Sequence, residues 1–220
     1  MNSKKNATDE SMYSVLINNL LDRLKRELPS ALAHDPMRAI PVRPFKPKFK
    51  ESFPVRTGSV LILLYEDNGE IKFPLIKRPD YEGAHGGQVS LPGGKTELGE
   101  DSIDTALREA HEEIGIKGND VTVLGRLSEF HVIPSNFLIT PVVGTIGYKP
   151  DFIPDDYEVA KILHGTVADL IKDDAVFVSE ILASGQYKMQ APHFKIEEEI
   201  VWGATAMMLN EFRVVLKEII

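Results

Sequence analysis

Glu109, Glu112 and Glu113 stand at i, i+3 and i+4 within Gly93 to Ile116, GGKTELGEDSIDTALREAHEEIGI. If that stretch is helical, the three carboxylates share a face. Asp101, Ser102 and Asp104 suit a helix start, and Gly115 suits a C-terminal stop, so the expected helix runs from Ser102 to Ile114. At about 100° per residue, Ile103, Ala106, Leu107, Ala110 and Ile114 form the packing face, and the three glutamates form an adjacent one. Like charges at these spacings repel and cost stability unless a counter-charge sits among them. A divalent cation meets that need. An all-carboxylate site suits Mg2+ or Mn2+, with positions left for water and substrate phosphates, which is the equipment of phosphoryl chemistry. The plainer reading of an acidic run is a solvated helix face.

The elements that position this helix are read from pattern. Gly93 to Glu100 has the character of a loop that bends closely around something. Upstream, Ser59 to Tyr65 (SVLILLY) reads as a buried strand, Asp67-Asn68-Gly69 as a hairpin turn and Ile71 to Lys77 as the return strand. Arg78 to Pro92 reads as a loop. Downstream, Val121 to Leu127, Phe137 to Ile146 and Tyr187 to Ile196 read as strands. Val167 to Ile171 is expected to form a helix or turn capped by Thr166. Gly203 to Ile219 has helical periodicity, and so does the stripe of Leu16, Ile17, Leu20, Leu21, Leu24 and Leu28, which Pro29 ends. That stripe fits a packing helix or a homodimer contact. Pro36 to Pro54 reads as an extended, basic connector.

With 220 residues, 43% of them hydrophobic, the chain suits one substantial core. The expected division is an N-terminal helix and connector over residues 1–54, packed on a domain spanning 55–220. The chain has no cysteine, which excludes disulfides and thiolate metal sites and fits a reducing compartment. No apolar run reaches membrane-spanning length and no signal-peptide core is visible, so the expected setting is cytoplasmic, without a membrane partner. A formal charge of −8 argues against a nucleic-acid partner.

The fixed spacing is longer than an acidic run requires. Gly94, five residues, Glu100, seven residues, Arg108-Glu109-Ala110, one residue, Glu112-Glu113, one residue, Gly115-Ile116 resembles the Nudix box of the Nudix hydrolases. Leu75 to Gly94 (LIKRPDYEGAHGGQVSLPGG) resembles the signature that coenzyme A diphosphatases carry before that box, with Arg78, His85, Gly87-Gln88-Val89 and Pro92-Gly93-Gly94 at the matching places. Phe137 to Gly144 and Ile200 to Ala206 look like the same branch. Leu91, Glu82 and Gly83 differ from the usual residues there and are expected to flank the substrate pocket.

The resemblance implies an α/β fold of the α+β kind, the Nudix fold, with a mixed β-sheet sandwiched between α-helices. It implies metal-dependent hydrolysis of a diphosphate bond in coenzyme A or its derivatives, giving 3′,5′-ADP and 4′-phosphopantetheine. The implied metal ligands are Glu109, Glu112 and Glu113 with the carbonyl of Gly93 or Gly94, and Glu158 as a carboxylate from outside the helix. Glu100 and Arg108 are expected to form a supporting ion pair. Arg78, Lys77, His85 and Gln88 are the expected contacts to a small nucleotide substrate of the coenzyme A class. Two alternatives remain open at this point: another substrate such as ADP-ribose, an NAD-type compound or a dinucleoside polyphosphate, and a noncatalytic nucleotide-sensing module. Glu112→Gln or Glu113→Gln is expected to cut turnover strongly while the fold is retained. Near-normal turnover at saturating Mg2+ contradicts the ligand assignment.

Overall fold

A computed structural model describes residues 11–43, 54–80, 86–183 and 187–220. In chain order the elements are α1 (Met12–Arg23), α2 (Ala31–His34), β1 (Ile40–Pro41), β2 (Arg56–Asp67), β3 (Glu70–Lys77), β4 (Val89–Ser90), β5 (Gly93–Lys95) and α3 (Ser102–Ile114). They continue with β6 (Thr122–Arg126), β7 (Phe130–Val132), β8 (Phe137–Thr145), β9 (Lys161–Thr166), α4 (Val167–Leu170), β10 (Phe177–Ala183), β11 (Tyr187–Ile196), β12 (Glu199–Trp202) and α5 (Gly203–Lys217).

The strand β2 organises the molecule because it is buried on both faces. Successive side chains of a strand point to opposite sides. Val60, Ile62 and Leu64 therefore join one core with α1 and α5, while Leu61, Leu63 and Tyr65 join a second core under α3. A mixed sheet sandwiched between helices follows directly. β8 pairs parallel to β2 along one edge, and β6 and β7 pair antiparallel to β8. On the other edge, the Asn68-Gly69 turn returns the chain into β3, both residues taking the positive φ that such a turn needs. β3 leaves β2 after three residue pairs, and β5 takes over the edge at Gly58 to Val60. β3 continues outward to β4 and β9. A separate antiparallel sheet runs β1, β11, β10, with β12 also on β11.

Several expectations need correction. Gly93 to Lys95 is a strand rather than the start of a loop, because its backbone completes the edge of β2. The N-terminal helix ends at Arg23, not near Pro29. Arg23 donates to the Glu27 carbonyl and pairs with Glu218, so the chain turns there. The leucine stripe is spent inside the protomer: Leu16 and Leu20 are buried, with Ile17, Leu21, Leu24 and Leu28 packed against the same core. Leu91 is likewise buried in that core. Glu82, Gly83 and the connector residues 44–53 lie outside the described residues. The strands β1, β4, β7, β9, β10 and β12 occupy stretches with no strand expectation, β4 inside the expected loop. Among the described residues no helix is long and apolar enough to cross a membrane.

Leu63 is fully buried beneath α3. Leu63→Ala is expected to destabilise the protein by about 3 kcal/mol in urea titration, and a change near zero would contradict its place in the core.

Candidate active site

The helix α3 begins and ends as its sequence dictates. Asp101 accepts hydrogen bonds from the Ile103 and Asp104 amides, and Asp104 bonds back to the Asp101 amide, which makes a reciprocal cap. Gly115 closes the C-terminus in the left-handed conformation. Ala106, Ala110 and Ile114 are buried against β2 and β8, with Ile103 and Leu107 packed around them. That packing fixes the rotation of α3 and turns its acidic face toward β5.

β5 meets that face through backbone geometry. In an antiparallel ladder, alternate residues aim both their amide and their carbonyl at the partner strand. Ser59 pairs with Gly94, flanked by bonds from Leu61 to Pro92 and from Thr96 to Thr57. Gly93 and Lys95 therefore point their backbone groups away from β2. The Gly93 amide donates to Glu113 Oε2 at 2.8 Å, and the Lys95 carbonyl accepts from Arg108 Nη2 at 3.0 Å. The same alternation leaves the Gly93 carbonyl on the outward edge and commits that of Gly94 to the ladder, so Gly93 is the better backbone ligand of the two. Gly94 has a different role. A Cβ there would come within 2.6 Å of the Glu109 carboxylate atoms, so the missing side chain is what lets Glu109 lie against β5.

Arg108 gathers the rest. Its Nε donates to Glu100 Oε1 at 2.5 Å and its Nη2 to Glu100 Oε2 at 3.1 Å, the paired geometry of a strong guanidinium–carboxylate contact. Its Nη1 reaches Glu109 at 3.0 Å and Glu112 at 2.9 Å. Glu100, which also accepts from Thr105 and the Glu97 amide, has its carboxyl held down at about 2, chiefly by Arg108. One guanidinium thus ties the loop before α3 to two of the three acidic residues.

Glu113 is the outlier in charge. Its side chain is 2% exposed, and its nearest cation is Arg78 Nη2 at 3.4 Å. Burial pushes its carboxyl up to about 7, against the lowering effects of the Gly93 bond and Arg78 and with added repulsion from Glu109 and Glu158. Burial also raises Glu109, which feels Glu112 and Glu158 as well. Glu158 thus lies within electrostatic reach of both, although it belongs to a distant stretch of chain. Asp155, which sequence reasoning missed, explains its placement. The Asp155 amide donates to the Glu113 carbonyl at 3.0 Å, and Asp155 Oδ1 accepts from the Tyr157 and Glu158 amides. The signal was present in Asp155-Asp156-Tyr157-Glu158, because an aspartate commonly caps the amides two and three residues on.

The expected substrate contacts divide. Arg78 follows Ile76 by two residues, so it shares the α3 side of β3 and reaches Glu113. Lys77 points to the opposite face, where it pairs with Glu199 at 2.7 Å, and the structure does not bring it to the acidic cluster. Gln88 is half-buried beside β3, and its carbonyl accepts from the Arg78 amide. His85 lies outside the described residues.

Among the described residues, no three of these carboxylates converge on one point. Arg108 holds Glu109 and Glu112, while Gly93 holds Glu113. The donor chemistry nonetheless fits a hard divalent cation: oxygen donors only, crowded, partly buried and short of positive charge. A NUDIX domain family matches residues 55–146, which contain β2 through β8 and the whole acidic face. An uncharacterized Nudix hydrolase, NudL, of Yersinia enterocolitica is 32% identical over 138 residues, 62% of this chain and 69% of that protein. The chain belongs to the Nudix hydrolases. Nudix hydrolase 3 of Caenorhabditis elegans is 29% identical over 168 residues, 70% of each chain. The crystal structure of a C. elegans Ap4A hydrolase binary complex overlays with a TM-score of 0.50 at 16% identity, covering 74% of this chain and 99% of that one, a likeness of fold.

In this Nudix hydrolase the raised Glu113 carboxyl has a consequence for stability. The folded state favours protonated Glu113, so that contribution is complete below the ordinary carboxyl range and is lost as pH rises through about 7. In metal-free protein, Glu113→Gln is expected to raise the melting temperature by a few degrees at about pH 8 and to change it little at about pH 4. Equal effects at both values would contradict the buried, charge-poor setting.

Proposed function

We propose that the protein hydrolyses the diphosphate bond of coenzyme A or a derivative, giving 3′,5′-ADP and 4′-phosphopantetheine. The observation that carries the reaction class is the acidic face of α3 held against β5, with Glu113 on the Gly93 amide and Glu109 on Gly94. The coenzyme A class is supported by the sequence of the segment from Arg78 to Gly94, whose Arg78 reaches Glu113.

A bound Mg2+ or Mn2+ supplies charge stabilisation on phosphate oxygens and an acidified water. The residues that would hold it are Glu109, Glu112 and Glu113, with the Gly93 carbonyl and Glu158. Arg108 keeps Glu109 and Glu112 side by side, and Glu100 fixes Arg108, so the pair acts on the carboxylates rather than on substrate. Arg78 supplies the positive charge nearest to Glu113 among the described residues, which supports a role in meeting a substrate phosphate. Burial of Glu113 keeps bulk water from its carboxylate and strengthens each electrostatic contact it makes.

A panel of coenzyme A, ADP-ribose, NAD and a dinucleoside polyphosphate, with products resolved by mass, tests the assignment. The expected result is fastest cleavage of coenzyme A to the two named products. Preference for another member retains the chemistry and overturns the substrate, and no cleavage of any overturns both. Arg78→Ala is expected to raise KM for coenzyme A about tenfold more than for the same molecule lacking its 3′-phosphate. Equal increases would remove Arg78 from recognition of that phosphate.

A further inference from the structure

A cavity of about 630 Å3 opens on the sheet at a place that the acidic face does not use. It lies between the end of the β2–β3 hairpin, β9 and the segment 149–154, and none of Glu109, Glu112, Glu113 or Arg78 lines it. Tyr65 and Ile162 in its floor belong to the core whose other side packs α3.

Its lining has two parts. Pro150, Phe152, Pro154 and Ile162 make an apolar wall. The Phe152 ring is 5.4 Å from Tyr65, edge to face, and 5.5 Å from His164. The remainder is largely charged, and most of those charges are paired. Lys72 bridges Asp67 at 3.0 Å and Glu70 at 3.2 Å, Lys149 meets Asp67 at 3.0 Å, and Glu197 is held by Lys161 at 3.0 Å. Four carboxylates and two lysines line the space, Asp151 completing the set. A phosphate would meet lysines that are committed and carboxylates in excess. Lysines already bridge Asp67, Glu70 and Glu197, which leaves Asp151 as the main attraction for an organic cation. Hydrogen bonding and apolar contact are therefore the larger part of what the lining offers, and both suit an uncharged ligand.

Hydrogen bonding gives the cavity direction. Tyr65 and His164 Nδ1 are 2.6 Å apart. Burial raises the Tyr65 phenol and lowers His164, so the phenol stays protonated and donates to Nδ1, and the neutral imidazole carries its proton on Nε2. A donor therefore sits beside the aromatic and apolar wall. The hairpin bordering the cavity is strained: Glu197 and Glu198 both adopt positive φ, 46° and 67°, where glycine or asparagine is favoured. The strained turn places Glu197 so that its carboxylate accepts the His164 amide at 2.8 Å. Backbone strain is thus maintained beside His164.

We propose that this cavity is a second binding site, separate from the acidic face, for an uncharged planar heterocycle with ring hydrogen-bonding groups, of the size of a nucleoside. The flat ring lies along the Phe152 wall and accepts from His164. The proposal stands whether or not coenzyme A is the substrate, because it uses none of the same residues.

Adenosine and AMP are titrated into metal-free protein, with binding followed by amide chemical shifts. Adenosine is expected to shift Lys72, Phe152 and His164, and AMP to bind there about tenfold more weakly because of the surplus carboxylates. Phe152→Leu, which keeps an apolar group in the core, is expected to weaken adenosine binding about tenfold through loss of stacking. Absence of shifts at these residues at millimolar adenosine, shifts confined to Arg78 and Glu113, or equal binding of AMP overturns the proposal. The location and charge readouts hold even if the Phe152 variant fails to fold.

Discussion

The bond from the Gly93 amide to Glu113 is the contact on which the rest of the site depends. It joins a strand whose alternate backbone groups face the helix to a carboxylate that water barely reaches. A buried carboxylate is costly, and a single amide with a distant arginine does not offset the cost, which is why Glu113 is raised toward neutrality. A region short of positive charge is built into the fold rather than left at its surface. The spacing of Glu109 and Glu112 around it, and the approach of Glu158 from another segment, turn that shortage into a property of the whole cleft.

Most of what holds the contact in place is apolar packing and backbone pairing. The two faces of β2 supply two cores, one seating α3 and the other seating α1 and α5. β5 exists only because β3 departs from β2 and leaves an edge to be filled. Gly94 then permits the close approach of Glu109, and Arg108 keeps the helix and the preceding loop from separating. Asp155 ties the 153–158 segment to the last turn of α3, so the residues that complete the cleft are hydrogen-bonded to the element that begins it.

Much of this was legible in the chain. α3 could be bounded to the residue because its caps, Asp101 and Gly115, and its 3.6-residue periodicity agree. β2 and β11 read clearly from their β-branched and aromatic content. What could not be read depends on pairing. Gly93 to Lys95 has no strand propensity of its own and becomes a strand through its neighbour. β3 is buried on both faces, so FPLI gives no hint of which side Lys77 or Arg78 takes, and the lysine lies on the face away from the cluster. Glu199, its true partner, is separated by 122 residues. β10 and β12 carry mostly exposed or half-buried side chains, and without an alternation to mark a buried face their pattern resembles a surface segment.

We propose that the acidic cleft around Glu113 holds a divalent cation. The most direct measurement is Mn2+ binding followed by the electron paramagnetic resonance signal of the free ion, comparing the unmodified protein with Glu113→Gln. Saturable binding by the unmodified protein and affinity at least about tenfold weaker in the variant are expected. Equal binding by both, or none by either, would contradict the proposal.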